Sequence, residues 1–389
     1  MNGTLKNMSK IKTIPFNKPP SIDDSRRFVI ESLDSGFLSG RGPYTKKAEE
    51  WFVSKYPAIK GALLTTSCTH ALEVSAILLD LSGEDEVIVP SYTFVSSALA
   101  YHMHGAQIRF CDIRKDTLNI DETLLENAIT KNTKAIVVVH YAGVACEMDA
   151  IMAIARKHNI LVVEDNAHGL FGKYKGKDLG TIGDFSTLSF HETKNISCGE
   201  GGALLVNNKE FLQRAEIIIE KGTNRSQFIN GLVDKYSWVD KGSSYVLSDL
   251  LAGLLYGQLI NSDEIQLKRR VIWERYFTEL SSWALVNSVS LPFVPKYCDQ
   301  SYHMFYMLMP NKSARDTLIN HLSEQSIGAV FHYLPLDNSK IGLKIALADQ
   351  TNCPVSADIS DRIVRLPIFY GLEIPEQTLV IDTINNYVL

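Results

Sequence analysis

The sequences KAIVVV at residues 134–139 and ILVV at residues 160–163 are two nearly continuous apolar runs, and the acidic pair Glu164–Asp165 follows the second run directly. Apolar runs of this kind are typical of strands that are buried on both faces of a parallel sheet. Residues 148–158, between the two runs, have the pattern of an amphipathic helix, so the segment predicts a strand, a helix and a second, parallel strand. The acidic pair is therefore expected at the carboxyl edge of a sheet, where open α/β sheets bind their ligands.

The same alternation extends along the chain on both sides of this segment. Strand-like runs alternate with helical stretches of a length that predicts further βαβ units, and hence an α/β fold with a mostly parallel sheet. The predicted strands are residues 62–65, 86–89, 107–111, 134–139, 160–163, 185–190 and 202–206, and the predicted helices are residues 69–81, 93–104, 122–130 and 148–158.

The second half of the chain has a different pattern. A proline-free helical stretch extends from about Ser248 to about Ser281, either as one long helix or as two broken helices. Beyond Pro292 the pattern indicates a smaller α+β domain. We therefore predict a large domain at residues 15–260 and a small C-terminal domain at residues 261–389. The elements predicted in the small domain are a strand at residues 304–309 and helices at residues 314–325 and 376–387.

The composition excludes several classes of protein. Hydrophobic residues make up 45% of the 389 residues, and the net charge is -5. A nucleic-acid-binding protein usually carries a basic stripe, which this mildly acidic chain lacks. The chain has no apolar run near the roughly 18 residues that a membrane helix needs, and its first residues have no apolar signal-peptide core. The six cysteines include no C-x-x-C pair, so we expect reduced thiols, no metal site and a cytoplasmic protein.

Two segments contain residues that could carry out catalysis. Asp165, at the end of a predicted strand, is well placed to face a ligand, although an aspartate in this position also serves as a helix N-cap. Lys194 lies in the polar sequence SFHETKN at residues 189–195, which precedes the glycine-rich sequence GEGG at residues 199–202. A lysine that is partly desolvated in such a turn has a lowered pKa and acts as a nucleophile. The alternative is a solvated lysine in a surface turn.

Two further segments have the residue types that bind a phosphate and a planar ring. The sequence TTSCT at residues 65–69 lies between a predicted strand and a predicted helix, where hydroxyls and free N–H groups bind a phosphate. Ser67 or Thr69 would also cap that helix, and the two roles are compatible. Tyr92 or Phe94, after the next strand, would offer its face to a ring or else belong to the core. A phosphate turn, an aromatic ring, a strand-end acid and a turn lysine are the four groups that pyridoxal phosphate (PLP) chemistry needs.

Longer segments extend this pattern over nearly the whole chain. They are PFNKPP, LLTTSCTHALE, VIVPSYTFVS, VVVHYAGVACEMDAI, SFHETKN, GEGGALL, EKGTNRSQF and FHYLPL. From about Ile14 to the C-terminus, the chain resembles the DegT/DnrJ/EryC1/StrS group of sugar-nucleotide aminotransferases. The resemblance implies a fold type I PLP-dependent transferase, with a mostly parallel mixed sheet in the large domain and a smaller α+β domain. It also implies a homodimer with shared active sites.

The resemblance further implies a role for individual residues around PLP. Lys194 would be the Schiff-base lysine and the general acid and base, and Asp165 would pair with the pyridine nitrogen. Phe94, rather than Tyr92, is at the position of the family's ring-stacking residue. His168 occupies a position near the ring hydroxyl where the family often has Gln. The phosphate contacts would come from Cys68, Thr69, Ser189 and, across the dimer, Ser244 of the partner subunit.

Within the group, the chain resembles the branch that aminates C4 of dTDP-4-dehydro-6-deoxy-D-glucose. Such an enzyme would take the amino group from L-glutamate and form dTDP-4-amino-4,6-dideoxy-D-galactose, for example for a surface glycan such as lipopolysaccharide. Arg225 could pair with the diphosphate, because a guanidinium group suits phosphate oxygens, or could be a surface arginine in a loop. The candidate substrate contacts are Asn224, Arg225, Tyr236 and His332.

Three alternative functions stay open at this point. The same chemistry could give the gluco-configured 4-amino epimer or act on a 3-keto dTDP-sugar. An alternative from another class is a PLP-binding regulator without turnover, and the presence of both Lys194 and Asp165 argues against it. A Rossmann-type dehydrogenase is disfavoured, because no G-x-G-x-x-G sequence follows the early strands.

Overall fold

Strands and helices alternate along the computed structural model, which describes residues 13–347 and 352–389. The strands are β1 (Gly61–Thr65), β2 (Glu86–Pro90), β3 (Gln107–Cys111), β4 (Thr133–Val139), β5 (Leu161–Asp165), β6 (Lys173–Tyr174), β7 (Lys177–Asp178), β8 (Phe185–Ser189), β9 (Gly202–Val206), β10 (Cys298–Asp299), β11 (Phe305–Leu308) and β12 (Ile363–Leu366). The α-helices are α1 (Asp23–Ser35), α2 (Pro43–Lys55), α3 (Cys68–Leu78), α4 (Ser96–Met103), α5 (Glu122–Ala128), α6 (Met148–His158), α7 (Leu212–Ile219), α8 (Arg225–Ile229), α9 (Asp249–Ile260), α10 (Ser262–Val286), α11 (Lys312–Glu324), α12 (Gly342–Ile345), α13 (Pro354–Arg362) and α14 (Ile374–Asn385).

The main sheet of the described chain has seven strands in the order β1-β9-β8-β5-β4-β2-β3. The pairs β2–β3, β2–β4, β4–β5 and β5–β8 are parallel. Strand β9 is antiparallel to both β8 and β1, so β1 again points in the same direction as β8. The carboxyl ends of β1, β2, β4, β5 and β8 therefore meet at one edge of the sheet. The predicted α/β fold with a mostly parallel mixed sheet is confirmed.

Helices cover both faces of this sheet, because successive side chains of each strand point to opposite faces. On one face, Val137 of β4 packs in a cluster with residues of α3, α4 and α7. On the other face, Ile136 and Val138 of the same strand pack with residues of α5 and α6. Burial of one such aliphatic side chain stabilises the fold by about 1.5–3 kcal/mol. The uninterrupted apolar runs of the sequence are thus explained by helices on both sides.

Helices α1 and α2 precede the sheet and were not predicted from the sequence. Each one buries only three or four side chains, so its apolar stripe is weak. The buried carboxylate of Asp249, at the start of α9, holds the N-terminus of α2 by accepting the N–H groups of Tyr44 and Thr45 at 3.2 and 2.8 Å. Because these N–H groups have no partner within their own helix, the contact caps α2 through a residue 200 positions away in the chain.

The long helical stretch is divided at Asn261 into α9 and α10, so the prediction of two broken helices is the correct one. Helix α9 packs against α1 and α2. Helix α10 contributes Trp273, Tyr276 and Leu280 to a separate apolar core with β11, β12, α11 and α14. Ile14 also joins this second core and pairs with Ile327. We propose that the two cores are the two domains, with their boundary at the junction of α9 and α10.

None of the helices in residues 13–347 and 352–389 combines the length and the apolar character that crossing a bilayer requires.

Candidate active site

A cavity of about 540 Å³ lies at the carboxyl edge of the main sheet. The turns that follow β1, β2, β5 and β8 meet there, because these strands point in the same direction. All four segments that were selected from the sequence therefore contribute to one site. The predicted residues that line the cavity are Cys68, Thr69, Phe94, Asp165, His168, Ser189, Lys194 and His332.

Lys194 lies in a tight turn after β8. Its backbone N–H donates to the carbonyl of His191 at 2.9 Å. The next residue, Asn195, is buried and donates from its side chain to the carbonyl of Ser301 at 2.7 Å, which holds the turn in place. Burial lowers the pKa of Lys194 to about 8, and the nearby carboxylate of Asp165 opposes part of this shift. A larger fraction of this amine is therefore unprotonated near neutral pH than in a solvated lysine, which makes it a better nucleophile.

The two members of the acidic pair have opposite surroundings, since adjacent strand residues point to opposite faces. Asp165 faces the cavity, where it accepts hydrogen bonds from the Ser97 hydroxyl at 2.6 Å and the Ala167 N–H at 3.2 Å. It is 5% exposed, and burial raises its pKa. Glu164 points away and is 2.9 Å from Nε2 of His140.

Glu164 has a structural role in this arrangement. Its carboxylate also accepts the backbone N–H groups of Gly180, Ile182 and Gly183 at 2.7–2.8 Å. A carboxylate that already takes part in four hydrogen bonds has no acceptor capacity left for a ligand. Only Asp165 of the pair is therefore available to a bound molecule.

The turn after β1 begins α3 with free backbone donors. The Ser67 hydroxyl caps the helix by accepting the His70 N–H at 3.1 Å. The N–H groups of Cys68 and Thr69 are at the first helical positions, where no helical acceptor exists, so they are free to bind an anion. Gly202 of β9 packs against this turn, because a Cβ atom there would lie 2.4 Å from the Cys68 nitrogen.

Ser189 brings a hydroxyl to the same place. It is opposite Gly202 in the pairing of β8 with β9 and lines the cavity. The turn after β1 and the end of β8 thus combine two backbone donors and one hydroxyl. This is the chemistry that holds a phosphate group.

The two aromatic residues after β2 have different environments. Tyr92 is 1% exposed and belongs to an apolar cluster with Tyr141 and Tyr306. Phe94 is 55% exposed and lines the cavity. For Tyr92 the core alternative is therefore correct, and only Phe94 is placed where it can stack on a ligand.

His168 is buried in a group of histidine and tyrosine side chains. Its ring stacks on that of His303, with ring centroids 4.4 Å apart. Its Nε2 is 3.1 Å from the Tyr333 hydroxyl, whereas its Nδ1 has no partner among the described residues. Burial keeps the pKa of His168 well below its usual range, so the ring is neutral. His332 completes this wall, and its Nδ1 is 2.6 Å from the Tyr141 hydroxyl.

The cavity residues that were not singled out from the sequence include His303, Tyr333 and Arg365. Tyr333 lies in the segment FHYLPL, where its position next to His332 was a usable signal. His303 lies just before β11, and Arg365 lies in β12. Both strands belong to the second core. Only the packing of that core against the sheet edge brings these side chains to Lys194.

The remaining predicted residues do not line the cavity of their own chain. Arg225 is exposed and pairs with Glu220 at 3.4 Å. The side chain of Asn224 accepts the Ser237 N–H at 2.7 Å. Tyr236 is 55% exposed, and Ser244 is also exposed. These residues share one segment, residues 220–244, at the surface of the described chain.

The cavity residues fit PLP. Asp165 is a buried carboxylate that forms no ion pair with the described residues, and a protonated pyridine nitrogen would neutralise it. The unpartnered Nδ1 of His168 is suited to the ring hydroxyl. The donors at Cys68, Thr69 and Ser189 suit the phosphate. Lys194 has the lowered pKa that imine formation with an aldehyde requires.

Comparison with known proteins agrees with this fit. The model of the DegT/DnrJ/EryC1/StrS aminotransferase family matches residues 21–385. The chain belongs to this family. As a family member it is an aminotransferase, and the resemblance inferred from the segments above is confirmed.

Two relatives are similar to the aminotransferase over nearly the whole length of both chains. The spore coat polysaccharide biosynthesis protein SpsC of Bacillus subtilis is 31% identical over 383 residues, which are 96% of this chain and 97% of SpsC. The GDP-perosamine synthase of Escherichia coli O157:H7 is 30% identical over 383 residues, which are 97% of this chain and 99% of that enzyme.

A solved structure has the same fold and carries the expected cofactor. The PLP form of Spr1654 from Streptococcus pneumoniae superposes with a TM-score of 0.87 at 26% identity, covering 96% of this chain and 98% of that chain. A pyridoxamine phosphate form of Spr1654 is equally similar. The predictions of PLP as cofactor and of a fold type I architecture for the aminotransferase are confirmed.

Proposed function

We propose that this aminotransferase moves an amino group from L-glutamate to C4 of dTDP-4-dehydro-6-deoxy-D-glucose and forms dTDP-4-amino-4,6-dideoxy-D-galactose. The observation that carries the proposal is the meeting of Lys194, with its lowered pKa, and the buried carboxylate of Asp165 in one cavity. The name of the relative GDP-perosamine synthase indicates a nucleotide-linked product and supports a nucleotide-linked substrate.

PLP, when bound, supplies an electron sink that allows a proton to leave the carbon that carries the amino group. In the first half of the reaction, Lys194 would remove this proton from the Cα of the donor. The amino group would stay with the cofactor, and water would supply the oxygen of the released 2-oxoglutarate. In the second half, Lys194 delivers a proton to C4 of the sugar. Because the amine of Lys194 is desolvated, both transfers take place without competition from water.

Other residues bind and orient the cofactor. The N–H groups of Cys68 and Thr69 and the hydroxyl of Ser189 hold the phosphate. Phe94 covers one face of the ring, and His168 faces its hydroxyl group. Asp165 provides the negative charge that keeps the ring nitrogen protonated, and Ser97 orients that carboxylate.

We further propose a homodimer with shared active sites, in which the surface segment 220–244 of each chain reaches the cavity of the other. Trp238 in this segment is 81% exposed, and Tyr236 is 55% exposed. Aromatic side chains are enriched at protein interfaces, so their exposure supports a contact with a second copy. In such a dimer, Asn224, Arg225 and Tyr236 are the contacts to the dTDP group, with His332 on the sugar side.

We also propose that the enzyme acts in the cytoplasm. All six cysteines are free thiols, of which five are buried. Free thiols are typical of a reducing compartment, which supports a cytoplasmic enzyme.

The test is to incubate the PLP-loaded enzyme with L-glutamate and dTDP-4-dehydro-6-deoxy-D-glucose and to identify the product by NMR. We expect an axial amine at C4. An equatorial amine would instead identify the gluco-configured product, and turnover of only a 3-keto dTDP-sugar would identify the other alternative. A protein that binds PLP but transfers no amine to any of these sugars would refute the proposed dTDP-sugar substrate.

Two lysine variants are the matched controls for this assay. Lys194→Ala should lose the absorbance of the bound cofactor and slow amino transfer by at least about 100-fold, since general acid and base catalysis alone contributes about 100- to 10,000-fold. Lys177→Ala, in the exposed strand β7, should keep both properties. A fully active Lys194→Ala enzyme would refute the mechanism.

A further inference from the structure

Arg365 is a cation in the wall of the cavity that the proposed mechanism does not use. It lies in β12, where its backbone pairs with Tyr306 of β11 and with Val330. Its side chain is half-buried and lines the same cavity as Lys194. Burial lowers the pKa of Arg365, yet an arginine keeps its charge at every physiological pH.

Two neighbouring segments hold the guanidinium group in a defined orientation. Its Nε and Nη2 donate to the carbonyl of Phe331 at 3.2 and 2.9 Å. The ring of Phe16 lies beneath the group, 4.8 Å from the guanidinium carbon. These contacts belong to the segments FHYLPL and PFNKPP, so two of the most distinctive stretches of the sequence meet at this arginine.

The charge of Arg365 is not neutralised within the described chain, where it forms no ion pair with a carboxylate. Burial is the main cause of the lowered pKa of Lys194, His168, His303 and His332, and the charge of Arg365 lowers each of these pKa values further. A half-buried cation surrounded by other basic groups is unfavourable unless an anion binds there. The N–H groups of its Nη1 remain available as donors, because only Nε and Nη2 have an acceptor among the described residues.

The geometry points to Arg365 as the binding group for a carboxylate of the amino donor. This inference rests on the proposed function. A carboxylate is the group that the donor and its 2-oxo product share, and a guanidinium fork binds carboxylates with two parallel hydrogen bonds. The sugar substrate has its charge on the diphosphate at C1, across the ring from C4, so the anion next to Lys194 belongs to the donor.

The experiment uses glutarate, a dicarboxylate with the carbon chain of glutamate and no amine. Its binding to the PLP-loaded enzyme is measured by calorimetry for the wild type, Arg365→Met and Arg365→Lys. Loss of a charge-assisted pair should raise Kd for glutarate roughly 10- to 100-fold in Arg365→Met. Arg365→Lys should be intermediate, because lysine keeps the charge but loses the fork.

Arg362→Met is the matched control. This arginine lies three residues earlier, pairs with Asp358 at 3.4 Å and does not line the cavity. Its variant should bind glutarate with the same Kd as the wild type, and thermal unfolding of each variant reports whether the fold is intact.

Measuring the two half-reactions separately distinguishes a loss of donor binding from a general loss of activity. In single-turnover absorbance experiments, Arg365→Met should need a roughly 10- to 100-fold higher glutamate concentration, while the half-reaction with the keto sugar should change less than about twofold. An unchanged Kd for glutarate, no glutarate binding by the wild type, or equal losses in both half-reactions would overturn the inference. If glutarate binding depends on Arg365 while the dTDP-sugar is not converted, only the proposed sugar substrate fails.

Discussion

The amine of Lys194 is desolvated inside the protein, and this desolvation lowers its pKa. Its pKa in the folded chain is about 8, below the ordinary lysine value of 10.5. Between pH 8 and 10.5 the unfolded chain binds a proton here that the folded chain does not. The free energy of unfolding therefore gains a contribution from Lys194 that increases with pH in this window.

The same pKa predicts how the cofactor-free protein captures PLP. The rate should increase with pH up to about 8 and then level off, because the unprotonated amine is the reactive form. Stopped-flow absorbance between pH 6 and 10 measures this profile. A rate that keeps increasing to pH 10 would show that Lys194 titrates like a solvated lysine.

Replacing the carboxylate by an amide should have different effects at Asp165 and at Glu164: the first change should lower activity and the second should lower stability. Asp165→Asn removes the charge opposite the ring nitrogen, so kcat should fall roughly 100- to 1,000-fold while the fold is kept. Glu164→Gln places an amide donor where the carboxylate oxygen accepts the N–H groups of Ile182 and Gly183, so it should lower the free energy of unfolding by about 1.5–3 kcal/mol. Steady-state kinetics and urea unfolding of both variants check the difference, and equal effects on both would contradict it.

At the scale of elements, the site depends on how closely β9 approaches the start of α3. A Cβ atom at Gly202 would lie 2.4 Å from the Cys68 nitrogen and from the Ser67 carbonyl carbon. Gly202→Ala should therefore displace the phosphate turn and weaken PLP binding by roughly tenfold or more. Gly83→Ala is the control, because nothing lies within 4 Å of a Cβ atom there. Equal PLP affinity of both variants, measured by equilibrium dialysis, would argue against the phosphate site.

A second element-scale prediction concerns the attachment of α2 to α9. Asp249→Ala removes the acceptor of the Tyr44 and Thr45 N–H groups and leaves them buried. The free energy of unfolding should fall by about 1–3 kcal/mol. Asp263→Ala, in the first turn of α10, removes an exposed carboxylate and should change it by less than about 0.5 kcal/mol. Urea denaturation distinguishes the two, and similar values would contradict the capping role.

At the scale of the whole molecule, the proposed dimer predicts complementation between two inactive variants. Lys194→Ala lacks the reactive amine, and Ser244→Asp places a negative charge where the PLP phosphate of the other chain would bind. In a heterodimer of the two, one site keeps a wild-type lysine and a wild-type serine, so purified heterodimers should have roughly half the wild-type activity. Differently tagged, co-expressed chains provide the sample. Inactive heterodimers would show that each site is formed by a single chain.

The apolar runs and helical stretches of the sequence determined the order of strands and helices around the sheet. They also determined that Asp165 and Ser189 lie at the ends of buried strands and that Lys194 lies in the turn after one, because an apolar run and the polar residues that end it are adjacent in the sequence. Helices α1 and α2 were missed, since their stability comes from contacts such as Asp249 rather than from a strong apolar stripe.

The tertiary structure alone decided which side chains face the cavity. It places Asp165 rather than Glu164, and Phe94 rather than Tyr92, at the cavity. The family resemblance implied both choices, but the residue patterns left them open, because they depend on which face of a strand or turn the cavity occupies. It also brought His303 and Arg365 from the second core to Lys194, more than 100 residues away in the chain. Local patterns carry no information about such contacts, because packing between the two cores, rather than the neighbouring sequence, determines them.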